Sequence, residues 1–465
     1  MHLKQPDYDV LVIGGGQAGI PLALELAKQG KRVALAERDK LGGSCVNFGC
    51  TPTKAVIASA RVAQLARRGA EFGLRIPTVE VDFAGVLERA SLIAAESRSG
   101  LERNMSSDNP KLLRGTARLE GLDGEVFRVS IGEKMVTAQE VVLNTGTRSL
   151  IPPIEGLEDV DFIDAGNWLH KRELPAHLAV AGGSYVGVEM AQFYRRMGSR
   201  VTVIQPAAQI VEREDKDVAD ALRRLLEAEG IEFRLYATVQ RVEVRDSKAG
   251  GNDKLTLWLD EVGAEARLDA SHIFIATGRK PNTDDLGLET IGVRVSDHGI
   301  VEANERLSTN VPGVWVAGDI RGGAQFTHTS WDDYRILLSQ MTGDGLRTTR
   351  RIVPYAIYTD PELGRVGMTE GEARDDGREF KVSHYEMRKN GKAREIGESE
   401  GFIKVIVDAA TDKLLGAAVL ASGGAELVHI YVDLMNADAP YTVLRDAVHI
   451  HPTLAEAVQS ATKSL

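Results

Sequence analysis

The chain has 465 residues, 43% hydrophobic and 26% charged, with a net charge of -11. That length gives about two to four domains with ample core for an enzyme, and the acidic balance argues against nucleic acid as the main partner. No apolar run reaches the roughly 18 residues of a membrane span, and a first strand near Tyr8 leaves no room for a secretory signal, so a cytoplasmic protein without a membrane partner is expected.

Residues 8–37 read as one βαβ unit. The apolar run 10–13 is a buried parallel strand, followed by the glycine loop 14–19, a helix over 20–29 and a strand over 33–36 that ends in Glu37. Gly14 permits the tight turn, Gly16 lets a pyrophosphate approach the helix N-terminus, and Gly19 permits helix-strand packing. Glu37 supplies the acid for ribose hydroxyls, so a dinucleotide site is expected here.

The stretch LGGSCVNFGCTPTKA holds both cysteines of the chain, Cys45 and Cys50. With no third cysteine and no His in the loop, a tetrahedral metal site cannot be completed, and no metal ligands are expected. A disulfide across so short a loop restrains the unfolded chain little, so the pair reads as redox chemistry rather than a staple. Pro52 marks a helix start, and the helix dipole and Lys54 both favour a thiolate.

Residues 56–105 read as largely helical with a break at Gly73 and Pro77, and strands are expected over 112–119, 126–131 and 136–143. The last of these runs into Asn144, Thr145 and Gly146, and Pro152-Pro153 marks a boundary near residue 151. A second βαβ unit follows, with a strand over 178–181, the loop GGSYVG (Gly182, Gly183, Ser184, Tyr185, Val186, Gly187), a helix through Met197 and a strand over 200–204. Gln205 stands as far from Gly182 as Glu37 does from Gly14, which makes a second dinucleotide site in the same register. The strand 272–276 entering Thr277-Gly278 echoes 141–146.

A strand over 314–317 ends in Gly318-Asp319, placing a carboxylate where an open α/β sheet faces its ligand. Residues 346–465 alternate strands (402–407, 414–420) with helices (426–436, 443–447) and carry no glycine-rich phosphate loop. Near the end, His451 precedes Pro452, and Glu456 stands five positions on, able to orient the imidazole for acid-base work. At the second loop no basic residue appears between Gln205 and Arg213, so NAD(H) is expected over NADP(H), with Arg213 and Arg279 as competing phosphate partners.

On these motifs the chain resembles the flavoprotein (class I pyridine nucleotide) disulfide oxidoreductases, dihydrolipoamide dehydrogenase and the mercuric-reductase-like branch among them. GGSCVNFGCTPTK resembles the active-site disulfide motif, GGGQAG the FAD site, GGSYVG the nicotinamide site and VWVAGD the second FAD motif. YTDPELGRVGMTE and HIHPTLAE resemble the dimerisation domain. The resemblance implies an α/β protein with two Rossmann-like domains, for FAD and NAD(P), and a C-terminal α+β dimerisation domain. The limits are 1–150 (FAD), 151–275 (NAD(P)), 276–345 (FAD, second part) and 346–465 (dimerisation).

The resemblance further implies that Cys45 is the interchange thiol and Cys50 the charge-transfer thiol beside the flavin. Lys54 pairs with Glu189 near the flavin, Tyr185 gates the nicotinamide pocket, and Asp319 binds the ribityl chain. His451, oriented by Glu456, serves the site of the partner subunit in a homodimer. The C-terminus lacks the paired cysteines of typical mercuric reductases, yet SCVNFGCTPTK, QFTHTSWDDYRIL and GKAREIGESEGFIKVIVD look closer to that branch. Three functions stand: an FAD-dependent NAD(P)H oxidoreductase acting on a small disulfide or dithiol, a reductase of Hg(II) or Cu(II), and an FAD-binding thiol redox sensor.

Overall fold

The computed structural model describes residues 5–245 and 254–465. Strand β1 (Tyr8–Ile13), helix α1 (Gly19–Lys28) and strand β2 (Val33–Glu37) form the first unit, with β1 and β2 parallel. Val10, Leu11 and Val12 are fully buried, as an unalternating apolar strand covered on both faces requires. Helices α2 (Gly43–Asn47), α3 (Cys50–Arg67) and α4 (Phe83–Asn104) follow. The last is capped by the Asp82 carboxylate, which accepts from the Gly85 amide.

The stretch 112–119, expected as one strand, is two: β3 (Lys111–Arg114) and β4 (Ala117–Asp123). Gly115 between them sits at φ +142, a conformation that glycine adopts cheaply, and it separates a strand paired with β2 from one paired with β5 (Val126–Ile131). Strand β3 runs parallel to β2, while β4 opens an antiparallel meander with β5 and β6 (Lys134–Leu143). Strand β6 returns to pair with β1, and β7 (Thr147–Ser149) leads out of the unit.

The second unit contains β8 (Ile163–Asp164), β9 (His177–Ala181), α5 (Tyr185–Met197), β10 (Arg200–Gln205), α6 (Lys216–Ala228) and β11 (Ile231–Leu235). A meander of β12 (Ala237–Val244), β13 (Leu255–Glu261) and β14 (Ala264–Ala270) then hands the chain to β15 (His272–Ile275). The parallel sheet runs β11-β10-β9-β15-β8. In both units a meander delivers a strand to the flank of the first one, so the internal repeat reaches well past the glycine loops. Strand β16 (Arg279–Pro281) pairs antiparallel with β7, bringing the chain back beside the point where it left, and β17 (Val314–Val316) joins β6. Helix α7 (Thr327–Thr342) packs against α1.

The C-terminal part contains β18 (Tyr355–Ile357), β19 (Glu362–Gly367), α8 (Glu370–Asp375), β20 (Phe380–Glu386), α9 (Gly391–Glu395), β21 (Phe402–Asp408) and β22 (Leu414–Ala421). Helices α10 (Gly424–Asn436), α11 (Thr442–Asp446) and α12 (Ala455–Ser460) complete it. Its sheet is antiparallel, in the order β18-β19-β22-β21-β20, with α10 laid across β19 and β22. A Cβ at Gly364 would stand 2.2 Å from the Gly424 carbonyl oxygen, so the closeness of sheet and helix depends on that glycine. The architecture is the expected α/β pair of Rossmann-like units with an α+β C-terminal domain. Among the described residues no helix is long and apolar enough to cross a membrane.

Candidate active site

The two glycine loops have the same geometry. Gly14 sits at φ +108 and Gly182 at φ +109, and a Cβ at either would lie 2.3 or 2.4 Å from a carbonyl oxygen, of Asn144 and Ala276 respectively. Gly19 and Gly187 let their helices close on the strand, since a Cβ there would meet the Gly14 and Gly182 carbonyl oxygens at 2.2 and 2.0 Å. Ser184 sits at φ -75 and donates to the Ala276 carbonyl at 3.1 Å. Its backbone is unstrained and its hydroxyl is used.

At the end of each second strand the side chain holds its own loop. Glu37 Oε2 accepts from the Gly15 amide at 2.8 Å, and Gln205 Oε1 from the Gly183 amide at 2.7 Å. Gln205 also donates to Glu212 Oε1 at 2.6 Å, so both ends of the amide are engaged.

One continuous cavity of about 1410 Å³ is lined by both loops, both cysteines, Lys54, Glu37, Thr145, Gly146, Gly278 and Asp319. A dinucleotide fits the first half. Gly14, Gly15 and Gly16, just ahead of the N-terminus of α1, line it there, and any side chain at Gly14 would be driven into Asn144. Asp319 also lines the cavity; burial raises its pKa, and Thr147 donates to it at 3.1 Å. Arg279 donates to Thr147 at 2.6 Å and lies 3.9 Å from Asp319, which commits it to the first unit and removes it as a phosphate partner for the second loop.

Helix α3 begins at Cys50 itself rather than at Pro52. A proline anywhere in the first turn is harmless, because those amides have no intrahelical acceptor. Cys45 sits on the separate short helix α2, and both cysteines carry free thiols. Their side chains share a hydrogen bond, which lowers the Cys50 pKa to about 6 against burial, helped by Thr327 and Lys54. The same bond, with burial, pushes Cys45 up, leaving the negative charge on Cys50.

Lys54 Nζ lies 2.9 Å from Glu189 Oε2 and 4.4 Å from the centre of the Tyr358 ring. Burial works against the lysine's charge, but Glu189 and Cys50 outweigh it and hold its pKa above the ordinary value. The other Glu189 oxygen accepts from the Tyr358 amide at 2.8 Å, fixing the carboxylate. Tyr185, at the start of α5, lines the cavity with its hydroxyl turned towards Glu214.

His451 is not brought to the cysteines within this chain. Its Nδ1 lies 3.0 Å from Glu456 Oε1, and the ring stands 76% exposed between Ile450 and Pro452. Val448 is fully exposed and Ile450 80% exposed, so the segment presents apolar side chains outward.

Thr327, Tyr355, Tyr358 and Glu214 were not singled out from sequence. Thr327 and Tyr358 lie inside motifs used only for resemblance, QFTHTSWDDYRIL and YTDPELGRVGMTE. Nothing in the pattern of residues around Glu214 shows that it is buried.

Two dinucleotide-binding units, a dithiol and a part-buried lysine-glutamate pair around one cavity define a flavin- and pyridine-nucleotide-linked oxidoreductase acting on sulfur. The chain belongs to the pyridine nucleotide-disulphide oxidoreductase family, whose model matches residues 8–333, and whose dimerisation-domain model matches residues 353–462. It is 33% identical to RclA of Escherichia coli over 459 residues, 97% of this chain and 98% of that protein. It is 31% identical to dihydrolipoyl dehydrogenase of Cupriavidus necator over 464 residues, covering 98% and 97% of the two chains. A solved structure titled as the Cu(II) complex of HOCl-induced flavoprotein disulfide reductase RclA superposes with a TM-score of 0.87 over 98% of both chains.

Proposed function

We propose that the protein is a homodimeric, NADH-linked flavoprotein reductase of a small disulfide, and that the division at residues 151, 276 and 346 separates its domains. The carrying observation is the single cavity that holds both glycine loops and a cysteine pair with an acidified Cys50. Gly14, Gly16, Gly19, Glu37, Lys54, Thr145, Gly146 and Asp319 would hold FAD, which when bound takes hydride from nicotinamide and passes electrons to sulfur. Gly182, Gly183, Tyr185, Gly187, Gln205 and Gly278 would hold NAD(H).

Two electrons and one proton open the Cys45-Cys50 disulfide to a Cys45 thiol and a Cys50 thiolate. Cys50 keeps the thiolate beside Lys54 and Thr327. Cys45, once deprotonated, attacks the substrate disulfide, and the leaving thiolate takes up a proton. The Cys50 thiolate then attacks Cys45 of the mixed disulfide and restores the Cys45-Cys50 disulfide, expelling the second product as a thiolate that takes up a second proton. The proton carrier in this reading is the partner subunit's His451, a role supported by its exposed setting and its Glu456 contact in each chain. Paired reactive thiols in a large chain favour a reducing compartment, which supports a cytoplasmic location.

A second reading, reduction of Cu(II) or Hg(II), is favoured by the Cu(II) carried by the similar E. coli protein. Among the described residues no group of three or more His, Cys, Asp or Glu is placed to hold a metal, so an ion would meet the thiols as substrate. Steady-state NADH and NADPH oxidation with lipoamide, glutathione disulfide, Cu(II) and Hg(II) on one preparation separates the two. Turnover of a disulfide lost in Cys45→Ser supports the first reading, and turnover of metal ions alone supports the second.

A further inference from the structure

Glu214 lies just ahead of α6 and has no exposed side-chain surface. Its Oε1 accepts from the Tyr355 hydroxyl at 2.7 Å and from the Tyr185 hydroxyl at 3.5 Å, while Oε2 faces Arg365 Nε at 3.4 Å. The Arg365 side chain is 2% exposed. Three regions meet at this carboxylate: the start of α5, the approach to α6, and strands β18 and β19 of the C-terminal sheet.

The rings are ordered as well. Tyr185 stacks on Tyr355 with centroids 5.5 Å apart and planes 21° apart, and Phe326 stacks on Tyr355 at 5.5 Å and 12°. Tyr185 and Phe326 line the cavity, whereas Glu214 and Tyr355 stand behind its wall. A buried ion pair is on average no more stabilising than well-packed apolar side chains, so stability alone does not account for Glu214 and Arg365. What the pair does hold in place is an acceptor for two phenols, one of which borders the nicotinamide side of the cavity.

We propose that Glu214 is a positioning residue that latches Tyr185 against the cavity wall, clear of the nicotinamide passage, with Tyr355 as the face on which the ring is parked. This rests on the reading that nicotinamide enters past Tyr185. If Tyr185 exchanges between a parked position and one that fills the passage, apparent nucleotide affinity scales with the parked fraction. The latch sets that fraction from the C-terminal sheet, through Tyr355 and Arg365.

The test is rapid-reaction reduction of the FAD-loaded enzyme by NADH, resolving apparent Kd from the limiting rate. Glu214→Gln keeps the shape and removes the charge, while Tyr185→Phe keeps the ring and removes only the hydroxyl. Each is expected to raise the apparent Kd by roughly three- to tenfold, the range of one ordinary hydrogen bond, and Glu214→Gln, whose side chain lies behind the cavity wall, is expected to leave the limiting rate within about twofold. The double variant should do no worse than either single one, because both remove the same contact. Tyr355→Leu, which leaves the Glu214–Arg365 pair intact, should raise Kd as well and serves if Glu214→Gln fails to fold. Unchanged Kd in folded, FAD-replete variants, or effects that multiply in the double variant, overturn the latch alone. A wild-type enzyme that binds FAD but is not reduced by either nucleotide overturns the latch and the proposed function together.

Discussion

Cys50 Sγ and Thr327 Oγ1 lie 3.2 Å apart, although 277 residues separate them in the chain. Together with the bond to Cys45 and the charge of Lys54, this contact keeps Cys50 near a pKa of about 6. The Cys50 thiolate is therefore expected above about pH 6 and lost below it. After reduction with dithiothreitol, the pH dependence of iodoacetamide alkylation, read at the Cys50 peptide by mass spectrometry, should show a midpoint near that value. Thr327→Val should raise it by roughly half to one pH unit, the equivalent of one hydrogen bond. A midpoint above pH 8 in the wild type would show that Cys50 is not the stabilised sulfur.

Lys54 and Glu189 give a prediction that separates stability from chemistry. The Glu189 carboxylate is 7% exposed, so Lys54→Met leaves it buried without its cation and should cost about 2–4 kcal/mol in thermal or denaturant unfolding. Adding Glu189→Gln removes the stranded charge and should restore most of that loss. Flavin reduction should stay slow in both variants, because the positive charge beside Cys50 is still missing. Recovery of rate along with stability would assign the lysine a purely structural role.

Much of this arrangement was legible in the sequence because it is local. The roles of Gly14 and Gly182, the acid at Glu37 and the amide at Gln205 follow from spacing within a βαβ unit, and the close spacing of Cys45 and Cys50 places them together. Thr327, Tyr355 and Tyr358 reach the site only because the chain returns through β16 and β17 and then lays β18 across the second unit. No periodicity within α7 or β18 encodes that return. The strand expected over 112–119 failed for a different reason: Arg114-Gly115-Thr116 interrupts the apolar residues there, and the positive φ of Gly115 divides the stretch into two strands.

His451 and the cysteines offer a test of assembly. The His451 ring stands 76% exposed in the single chain and lies outside the cavity that holds Cys45. If each site combines the thiols of one chain with the histidine of the other, Cys45→Ser and His451→Ala homodimers should both be inactive towards disulfides. Unfolding and refolding them together should return about a quarter of wild-type activity, since half the dimers are mixed and each mixed dimer holds one intact site. No recovery, with mixed dimers verified by native mass spectrometry, would place the histidine in its own chain's site, and an active His451→Ala homodimer would place it outside the chemistry.

The choice of nucleotide turns on what Gln205 is bonded to. Gln205 is buried, accepts from Gly183 with its oxygen and donates to Glu212 with its nitrogen, so its amide is not free to bind a 2′-phosphate. The carboxylate that does reach this part of the cavity is Glu212, held by that same amide, and it would repel the phosphate of NADP(H) while accepting from a ribose hydroxyl. Arg279 is engaged by Thr147 and Asp319 on the other side of the site. Among the described residues Arg213 remains as the cation at the second loop, where it lines the cavity next to Glu212. On the proposed NADH-linked reading, the fixed acid and the adjacent cation partly offset one another, so only a modest advantage for NADH is expected. Glu212→Gln should narrow or reverse it by freeing Arg213 to meet the phosphate, and Arg213→Met should widen it. The measurement is kcat/KM for both nucleotides with one acceptor, and an advantage of about tenfold or more for NADPH in the wild type would mean that Arg213, rather than Glu212, governs the ribose.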